Sequence, residues 1–474
     1  MENKSEAKIL QEKLFCVSKH AASSITESEL AKSNAFNEQY KAFLNHSKTE
    51  REAVETTVKM LEQQGYKPFA LGTKYAPGEK VYLVNRQKAV ILAVFGTEPI
   101  ENGVRIAAAH IDSPRLDLKP RPLYEDDELA LFKTHYYGGI KKYQWTAMPL
   151  ALHGVIVRAD GTTVRVSIGE KEDEPVFCVT DLLPHLANDQ MKRTLAEGIK
   201  GEELNILIGS MPFKDDEVSN RVKLYIMQLL HEKYGVVEED FLSAELEAVP
   251  AYSARDLGFD RSMIGSYGHD DRVCAYTALA ATLDCNAPKQ TIVTILTDKE
   301  ETGSDGNTGL QSAYLKYFIA DLAKPFGVEG RTVLSRSTCL SADVNAAFDP
   351  TFPDVTEKRN AAHLNHGVVV TKYTGARGKS GTSDASAEYF GAIRRLLDRE
   401  NVVWQTGELG KVDQGGGGTV AAYIANLNVD VIDLGVPVLS MHAPFEVVAK
   451  LDVYMAYRAF LAFFNESSKN ESPA

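Results

Sequence analysis

The chain has 474 residues, which is too long for one ordinary hydrophobic core, so two or three domains are expected. Apolar residues make up 44% and charged residues 25%, the proportions of a soluble globular protein. Asp and Glu number 65 against 52 Lys and Arg, and this acidic excess argues against nucleic acid or an anionic membrane as the main partner.

The five cysteines are scattered, and none belongs to a CxxC pair. This pattern is typical of reduced thiols in the cytosol and not of a disulfide framework or a zinc ribbon. The first residues, MENKSEAKILQEKLF, lack the apolar core of a signal peptide, and no run of about 18 apolar residues follows. We therefore predict a cytoplasmic protein that does not bind membranes.

The N-terminal part of the chain combines predicted helices with predicted strands. Residues 7–20 and 33–64 are predicted to be helical, with Thr49 and Glu52 forming a capping box. Alternation and β-branched residues then predict strands at 81–84, 89–95 and 104–109.

Between about residues 120 and 250 the alternation of strands and helices is lost. Short predicted strands at 153–158, 163–168 and 204–208 are separated by turns rich in Gly, Asp and Pro. This pattern indicates a mostly β domain inserted into the first domain. The predicted division is therefore one domain formed by residues 1–119 and 251–474, and an insert formed by residues 120–250.

After the insert the strand–helix alternation returns. Helices are predicted at 271–283, 308–322, 384–399, 419–426 and 447–464. Strands are predicted at 291–297, 338–342, 366–373 and 430–434. The predicted fold class is α/β, a three-layer α/β domain with a mixed central sheet that is interrupted by the mostly β insert.

Acidic and histidine side chains follow predicted strands or begin a predicted helix in five separate segments. These are His110 with Asp112, Asp270–Asp271, Glu300–Glu301, Asp343 and His442. Because open α/β sheets place their chemistry at the carboxyl ends of strands, these side chains are expected to meet. Two histidines with several carboxylates form the ligand set of two zinc-like ions, which in two-metal hydrolases share a carboxylate.

Glu300 and Glu301 directly follow a β-branched strand, at the end that open sheets use for chemistry. Two adjacent carboxylates are costly to bury unless a cation or a shared proton offsets their repulsion. One of them could bind metal while the other takes a proton from water and passes it to a leaving amine. Taken alone, the pair also fits a solvated acidic turn, and Asp270–Asp271 also fits a helix N-cap.

The segments AAHIDSPRLDLKP, GSYGHDDRVCAY, TDKEETGS, SADVNAAFDP and LSMHAPFEV resemble, in this order, the metal-site motifs of the aspartyl aminopeptidase and aminopeptidase I family. With its GHDDR segment and GGGGT loop, the chain is most similar to the bacterial branch of these two-zinc metallopeptidases. The resemblance implies a two-metal aminopeptidase that hydrolyses the N-terminal residue from short peptides with a free N-terminus. It also implies two divalent ions per subunit, zinc first, with cobalt or manganese as alternatives.

The same resemblance implies individual roles for the motif residues. The metal ligands that it implies are His110, Asp270 (bridging both ions), Glu301, Asp343 and His442. It makes Glu300 the general base and Asp112 the residue that orients His110. It further implies that the insert is a dimerisation domain and that dimers assemble into a homododecamer.

Several residues outside the metal motifs are candidates for substrate binding. They are Lys372, Lys379, Gly417, Gly418, His366 and His185. The glycines would let backbone approach a peptide, although a Gly run before a helix can also bind phosphate. Some family members carry two histidines in the insert, and the second reaches the neighbouring subunit. Here His185 lies in the matching segment, but Asn188–Asp189 stands where the second histidine would fall.

Two alternatives to an aminopeptidase remain at this point. A related two-metal amidohydrolase, acting as a carboxypeptidase or deacylase, would use the same ligands. A non-enzymatic shell or scaffold protein is the alternative from another class. The sequence leaves open whether the preferred N-terminal residue is acidic, basic or apolar, because cations at 372–379 fit either an acidic substrate or an ordinary basic loop.

Overall fold

The computed structural model describes residues 5–16, 18–375 and 377–466. Within these ranges the α-helices are Glu6–Leu14, Glu27–Asn45, Glu50–Gln63, Arg221–Tyr234, His269–Asp284, Tyr314–Ala323, Gly330–Leu334, Ala387–Arg399, Ala421–Ala425 and Lys450–Asn465. None of the helices in the described part of the chain is both long and apolar enough to cross a membrane.

The largest sheet is mixed and forms the centre of the molecule. From edge to edge its strands are Lys67–Pro68, Lys80–Asn85, Ala89–Val94, Ile292–Thr297, Arg105–His110, Thr338–Ser341, Asp430–Gly435, Val368–Thr371 and Trp404–Thr406. The fourth to seventh strands in this order run parallel to one another. Antiparallel strands flank this parallel block on both sides. The predicted α/β fold with a mixed central sheet is confirmed.

Side chains that alternate along the strands bury both faces of this sheet. On strand Ala89–Val94, Val90 and Leu92 belong to one hydrophobic core, while Ile91 and Ala93 belong to another. The first core includes helices His269–Asp284 and Lys450–Asn465. Helix Tyr314–Ala323 packs into the second. Helices thus cover both faces, which gives the three layers.

A second sheet is entirely antiparallel and has a hydrophobic core of its own. From edge to edge its strands are Thr163–Ile168, Leu150–Val157, Ala244–Pro250, Arg115–Asp126, Leu129–Tyr137, Ile206–Gly209 and Cys178–Val179. Its strands thus fall between Arg115 and Pro250, close to the predicted insert. The domain boundaries at 119/120 and 250/251 stay predictions.

The third sheet has five short strands beside the carboxyl edge of the central sheet. In order they are Arg255–Leu257, Met263–Ser266, Glu446–Ala449, Pro437–Leu439 and Asn345–Ala346. Strand Met263–Ser266 leads into helix His269–Asp284, and the turn between Leu439 and Glu446 contains His442. This sheet therefore positions two of the segments that carry predicted metal ligands.

Two helical regions differ from the sequence-based expectation. The predicted helix 33–64 is two helices, Glu27–Asn45 and Glu50–Gln63, because the Thr49–Glu52 capping box begins the second one. The predicted helix 7–20 ends at Leu14, and residue 17 lies outside the described residues.

The insert also contains a helix, Arg221–Tyr234, that the mostly β prediction did not include. Its core-facing side chains are spaced as on one helix face: Val222, Ile226, Met227, Leu230 and Tyr234. This helical spacing was present in the sequence, and it could have identified the helix. The second sheet therefore packs against this helix.

Candidate active site

Three neighbouring parallel strands bring four of the predicted site residues to one edge of the central sheet. His110 is the last residue of the middle strand, Arg105–His110. Asp343 follows the neighbouring strand on one side by two residues. Glu300 and Glu301 follow the neighbouring strand on the other side, in a 3₁₀ turn. The shared carboxyl edge therefore explains why residues distant in sequence meet.

Asp270 and His442 reach the same place from other elements. Asp270 lies at the N-terminal end of helix His269–Asp284 with non-helical backbone angles (φ −79°, ψ 110°), where the helix N-terminus favours negative charge. The peptide bond between Asp270 and Asp271 is cis. His442 lies in a turn of the third sheet with a left-handed backbone, φ 64°. The five predicted ligands thus come from five separate segments.

The five side chains form two groups that share Asp270. One group is His110, Asp270 and Asp343, and the other is Asp270, Glu301 and His442; within each, the potential ligand atoms lie within 4.8 Å of one another. The two oxygens of Asp270 divide between the groups. Oδ1 lies 3.2 Å from His110 Nε2, and Oδ2 lies 3.2 Å from His442 Nε2.

The donor set fits two divalent ions. Each group combines one imidazole nitrogen with carboxylate oxygens, the ligand chemistry that zinc accepts. Glu301 Oε1 is buried and has no hydrogen-bond partner in the protein. A buried carboxylate oxygen without a donor is unfavourable unless a cation is near.

Asp112 holds the His110 side of the site together. His110 Nδ1 lies 3.1 Å from the Asp112 carbonyl oxygen and 3.3 Å from Asp112 Oδ1. The carboxylate also accepts the backbone N–H groups of Glu300 and Glu301, each at 3.2 Å. Because both partners of Nδ1 are acceptors, Nδ1 carries the hydrogen and Nε2 faces the site.

Glu446 holds the His442 side of the site as Asp112 holds the His110 side. It was not among the residues predicted from the sequence. Its carboxylate accepts the backbone N–H of His442 at 2.7 Å and that of Asp270 at 3.0 Å. It therefore ties the turn that carries His442 to the helix start that carries Asp270. Its position inside the LSMHAPFEV segment, four residues after His442, was the available signal.

Burial and close charges shift the histidine pKa values upward in the metal-free protein. Burial lowers the pKa of His442, but the hydrogen bond to Asp270 and the charge of Glu301 outweigh it and raise this pKa to about 10. For His110, burial is likewise outweighed by Asp112 and Asp270, and its pKa is raised well above the usual value. A protonated imidazole thus supplies positive charge where a metal cation would otherwise do so.

The pKa values of the carboxyl groups shift in two directions: those of Glu300, Glu301 and Asp343 are raised, and that of Asp270 is lowered. Burial, followed by neighbouring charges, raises the pKa of Glu300 to about 7. Burial and the charge of Asp270 raise the pKa of Glu301, and burial and the charge of Glu300 raise that of Asp343. For Asp270, burial is outweighed by hydrogen bonds from His110 and His442, so its pKa is lowered. Among the four carboxyl groups that are potential ligands or base, Asp270 is therefore the one whose charged form is favoured.

A cavity of about 380 Å³ opens beside the two groups. Its lining residues beyond the site carboxylates and His442 are Gly139, Val344, Asn345, Thr374, Leu409, Gly416, Gly417, Gly418, Thr419 and Met441. The predicted substrate-binding residues Gly417 and Gly418 are among them. None of the described residues that line this cavity is a lysine or an arginine.

The other four predicted substrate-binding residues do not line this cavity. Lys372 and Lys379 both pair with Asp384, each at 3.0 Å. His366 contacts the Ser18 hydroxyl at 2.7 Å. His185 is exposed on the insert. Their proposed roles in substrate binding stay predictions.

Comparisons with known proteins agree on one family. The sequence pattern that defines the aminopeptidase I zinc metalloprotease family (M18) matches residues 43–464. A probable M18 family aminopeptidase 1 from Clostridium acetobutylicum is 51% identical over 455 residues, covering 94% of this chain and 98% of that protein. The crystal structure of an M18 family aminopeptidase from Thermotoga maritima is 43% identical with a TM-score of 0.91, covering 96% of this chain and all of that one.

A more distant solved structure is that of a dodecamer from S. cerevisiae, 19% identical with a TM-score of 0.75, covering 92% of this chain and 97% of that one. At this identity the likeness shows the fold alone. The family match and the bacterial relatives together support an aminopeptidase over the carboxypeptidase, deacylase and scaffold alternatives. The chain belongs to the M18 family of aminopeptidase I zinc metalloproteases, and it is a zinc aminopeptidase.

Proposed function

We propose that this aminopeptidase removes the N-terminal residue from short peptides with two divalent ions held by the groups that share Asp270. The observation that carries the proposal is this sharing. One carboxylate lies within 3.2 Å of a histidine from each group, beside a cavity large enough for an amino-acid side chain. A carboxylate that could contact both ions would hold them close together, as two-metal hydrolysis needs.

One ion would be held by His110, Asp270 and Asp343, and the other by Asp270, Glu301 and His442. Zinc is the ion we propose, with cobalt or manganese as alternatives that suit the same nitrogen and oxygen donors. When bound, such ions polarise a carbonyl group and lower the pKa of water. The protein's own contribution is to hold the ligands, through Asp112 and Glu446, and to move protons.

Glu300 is the proposed general base. It belongs to neither ligand group, yet its Oε2 lies 3.8 Å from His110 Nε2, so it faces the same space. Its carboxylate takes the proton from the attacking water as the new C–O bond forms. As the C–N bond breaks, Glu300 passes that proton to the leaving amine, which departs as a neutral group.

The cavity lining supports a preference for neutral N-terminal residues. Val344, Leu409 and Met441 supply apolar contact, and Gly417 and Gly418 let backbone approach the peptide. An acidic side chain would find no lysine or arginine among the described lining residues, and its burial without a cation is unfavourable. The cations at 372 and 379 are already paired with Asp384.

We also propose that the chain assembles as a homo-oligomer through the insert, with dimers forming a dodecamer. Support comes from exposed apolar side chains clustered in one segment of the insert: Leu182, Leu183, Leu186, Met191 and Leu195. Clustered apolar exposure of this kind marks association surfaces. The dodecameric yeast relative has the same fold. A cytoplasmic location stays a proposal from composition.

Replacing Glu300 by Gln should abolish turnover without removing metal. The amide keeps the shape of the side chain but cannot accept the proton, so kcat should fall by about 100-fold to 10,000-fold. Zinc content, measured by elemental analysis after dialysis, should stay at the wild-type level. The matched control is Glu101→Gln, the same change at an exposed site, which should keep wild-type kcat. Wild-type kcat in Glu300→Gln would refute the proposed base.

Hydrolysis of aminoacyl amides should depend on both the N-terminal amine and the side chain. We expect leucyl amide to be cleaved with a kcat/KM at least about ten-fold above that of aspartyl amide, since a tenfold difference needs only about 1.4 kcal/mol. Acetylation of the leucyl amine should abolish cleavage. Faster cleavage of the aspartyl substrate would overturn the proposed preference, and cleavage of the acetylated one would overturn the aminopeptidase assignment.

The metal-free protein should lose stability as pH rises, and zinc should restore it. The pKa of Glu300 is raised from 4.5 to about 7 in the folded state, so the folded state binds more protons than the unfolded state between these values. Stability therefore falls as pH rises through this window. The thermal midpoint after chelation should drop between about pH 5 and about pH 7.5, and added zinc should raise it most at the higher pH. A midpoint independent of pH would contradict this.

A further inference from the structure

A short segment at the end of a strand of the second sheet contacts both halves of the candidate metal site: the half with His110 and the half with His442. Strand Leu129–Tyr137 ends at this point, and Gly138 and Gly139 continue from it. The Tyr137 hydroxyl donates to Asp112 Oδ2 at 2.7 Å. The Gly139 carbonyl lies 2.8 Å from His442 Nδ1, and because a carbonyl only accepts, His442 donates there. The three-residue segment 137–139 thus contacts Asp112, which orients His110, and it also contacts His442 directly.

The hydrogen bond from Tyr137 is the shortest of those that hold the Asp112 carboxylate. The other three contacts, from His110 and from the backbone of Glu300 and Glu301, lie at 3.2 or 3.3 Å. Asp112 orients His110 and also the turn that carries the base and a ligand. A change in its position therefore moves three groups of the site together.

The Tyr137 ring is itself held by charge. The Arg115 guanidinium lies over the ring, 3.9 Å from its centroid, and Arg115 is buried among Glu50, Asp117 and Glu247. Such a cation over an aromatic face is attractive and orients the ring. A cavity of about 260 Å³ borders Arg115 and Tyr137, so close packing does not hold the ring on that side. The hydroxyl contact and the guanidinium therefore set its position.

The two glycines allow the segment to come this close. A Cβ on Gly138, whose φ is +75°, would lie 3.1 Å from Glu301 Oε2 and 3.3 Å from Pro114 Cγ. A Cβ on Gly139 would lie 3.3 Å from His442 Nδ1. Contacts this short force neighbours to shift, so side chains here would displace two metal ligands. Glycine, which has no side chain, lets the backbone pass this close to Glu301 and His442.

We propose that Tyr137 is a positioning residue for the His110 half of the metal site, and that the Gly139 carbonyl positions the His442 half. The insert thereby sets the geometry of both halves within its own subunit. This inference rests on the proposed two-metal function, and it adds a residue and a backbone group that the family motifs do not contain. Tyr137 acts through Asp112: it belongs to neither group of potential ligands and does not line the cavity beside them.

The test compares Tyr137→Phe with Tyr136→Phe in the full-length protein. Tyr136 is the adjacent, partly exposed tyrosine, so the control removes the same hydroxyl one residue away. Zinc affinity is measured by competition with a chelator, and the visible spectrum is recorded after cobalt replaces zinc. Thermal midpoints of the metal-free proteins report any general loss of folding.

Tyr137→Phe should bind zinc about 10- to 100-fold more weakly at one of its two sites, as expected when the partner of a metal-binding histidine is disturbed. Its cobalt spectrum should change, and kcat should fall while KM stays within about two-fold of wild type. Tyr136→Phe should match the wild type in all three measurements. The metal-free midpoint of Tyr137→Phe should lie at most about 4 °C below that of Tyr136→Phe, because one lost hydrogen bond costs about 1 kcal/mol.

The inference would be overturned if Tyr137→Phe matched Tyr136→Phe in zinc affinity, cobalt spectrum and kcat. A lower metal-free midpoint with unchanged zinc affinity would also overturn it, because it would mark a merely structural role. Failure of the proposed function would look different. Wild-type protein would then show no zinc-dependent hydrolysis of peptides at all, and the inference would fall with it.

Discussion

The sharing of Asp270 between two groups of ligands is the interaction on which the rest of the site depends. Its carboxylate faces His110 with one oxygen and His442 with the other. Glu300, Glu301 and Asp343 surround it, and all three have pKa values raised by burial and by neighbouring charges. So many buried carboxyl groups are tolerable only if bound protons or nearby positive charges offset their repulsion. Two divalent cations supply that charge most directly, and the proposed chemistry follows from it.

Each of the three sheets contributes residues to this arrangement. The parallel strands of the central sheet deliver His110, Asp343 and the two glutamates to one edge. The third sheet supplies the turn with His442, and Glu446 ties that turn to the helix that begins at Asp270. The second sheet reaches the site through Tyr137–Gly139. The site therefore lies where three sheets meet, and the second sheet is part of it.

Much of this was predictable from the sequence because it depends on local rules. β-Branched runs that end in acidic or histidine residues predicted the strands and their shared edge, and helices and strands of the central domain lie within a few residues of the expected ranges. Thr49 and Glu52 form the predicted capping box. The predicted helical region 33–64 is interrupted before Thr49, where the predicted capping box begins a second helix, and the helix Arg221–Tyr234 was not predicted.

Contacts between distant segments could not be predicted in this way. Tyr137 and Gly139 have no distinctive local pattern, and their roles arise from the path of the strand that precedes them. Glu446 acts through backbone groups that only the folded chain brings together. Lys372 and Lys379 were candidates for an acidic substrate because of their charge, but the sequence does not reveal their pairing with Asp384.

The most direct test of the shared carboxylate is the zinc stoichiometry of the wild type and of Asp270→Asn, measured by elemental analysis after equilibrium dialysis at matched free zinc. The account predicts two ions per chain for the wild type. The variant should hold fewer than two, because the amide loses the charge that both groups use. Two ions per chain in Asp270→Asn, bound as tightly as in the wild type, would contradict the central claim.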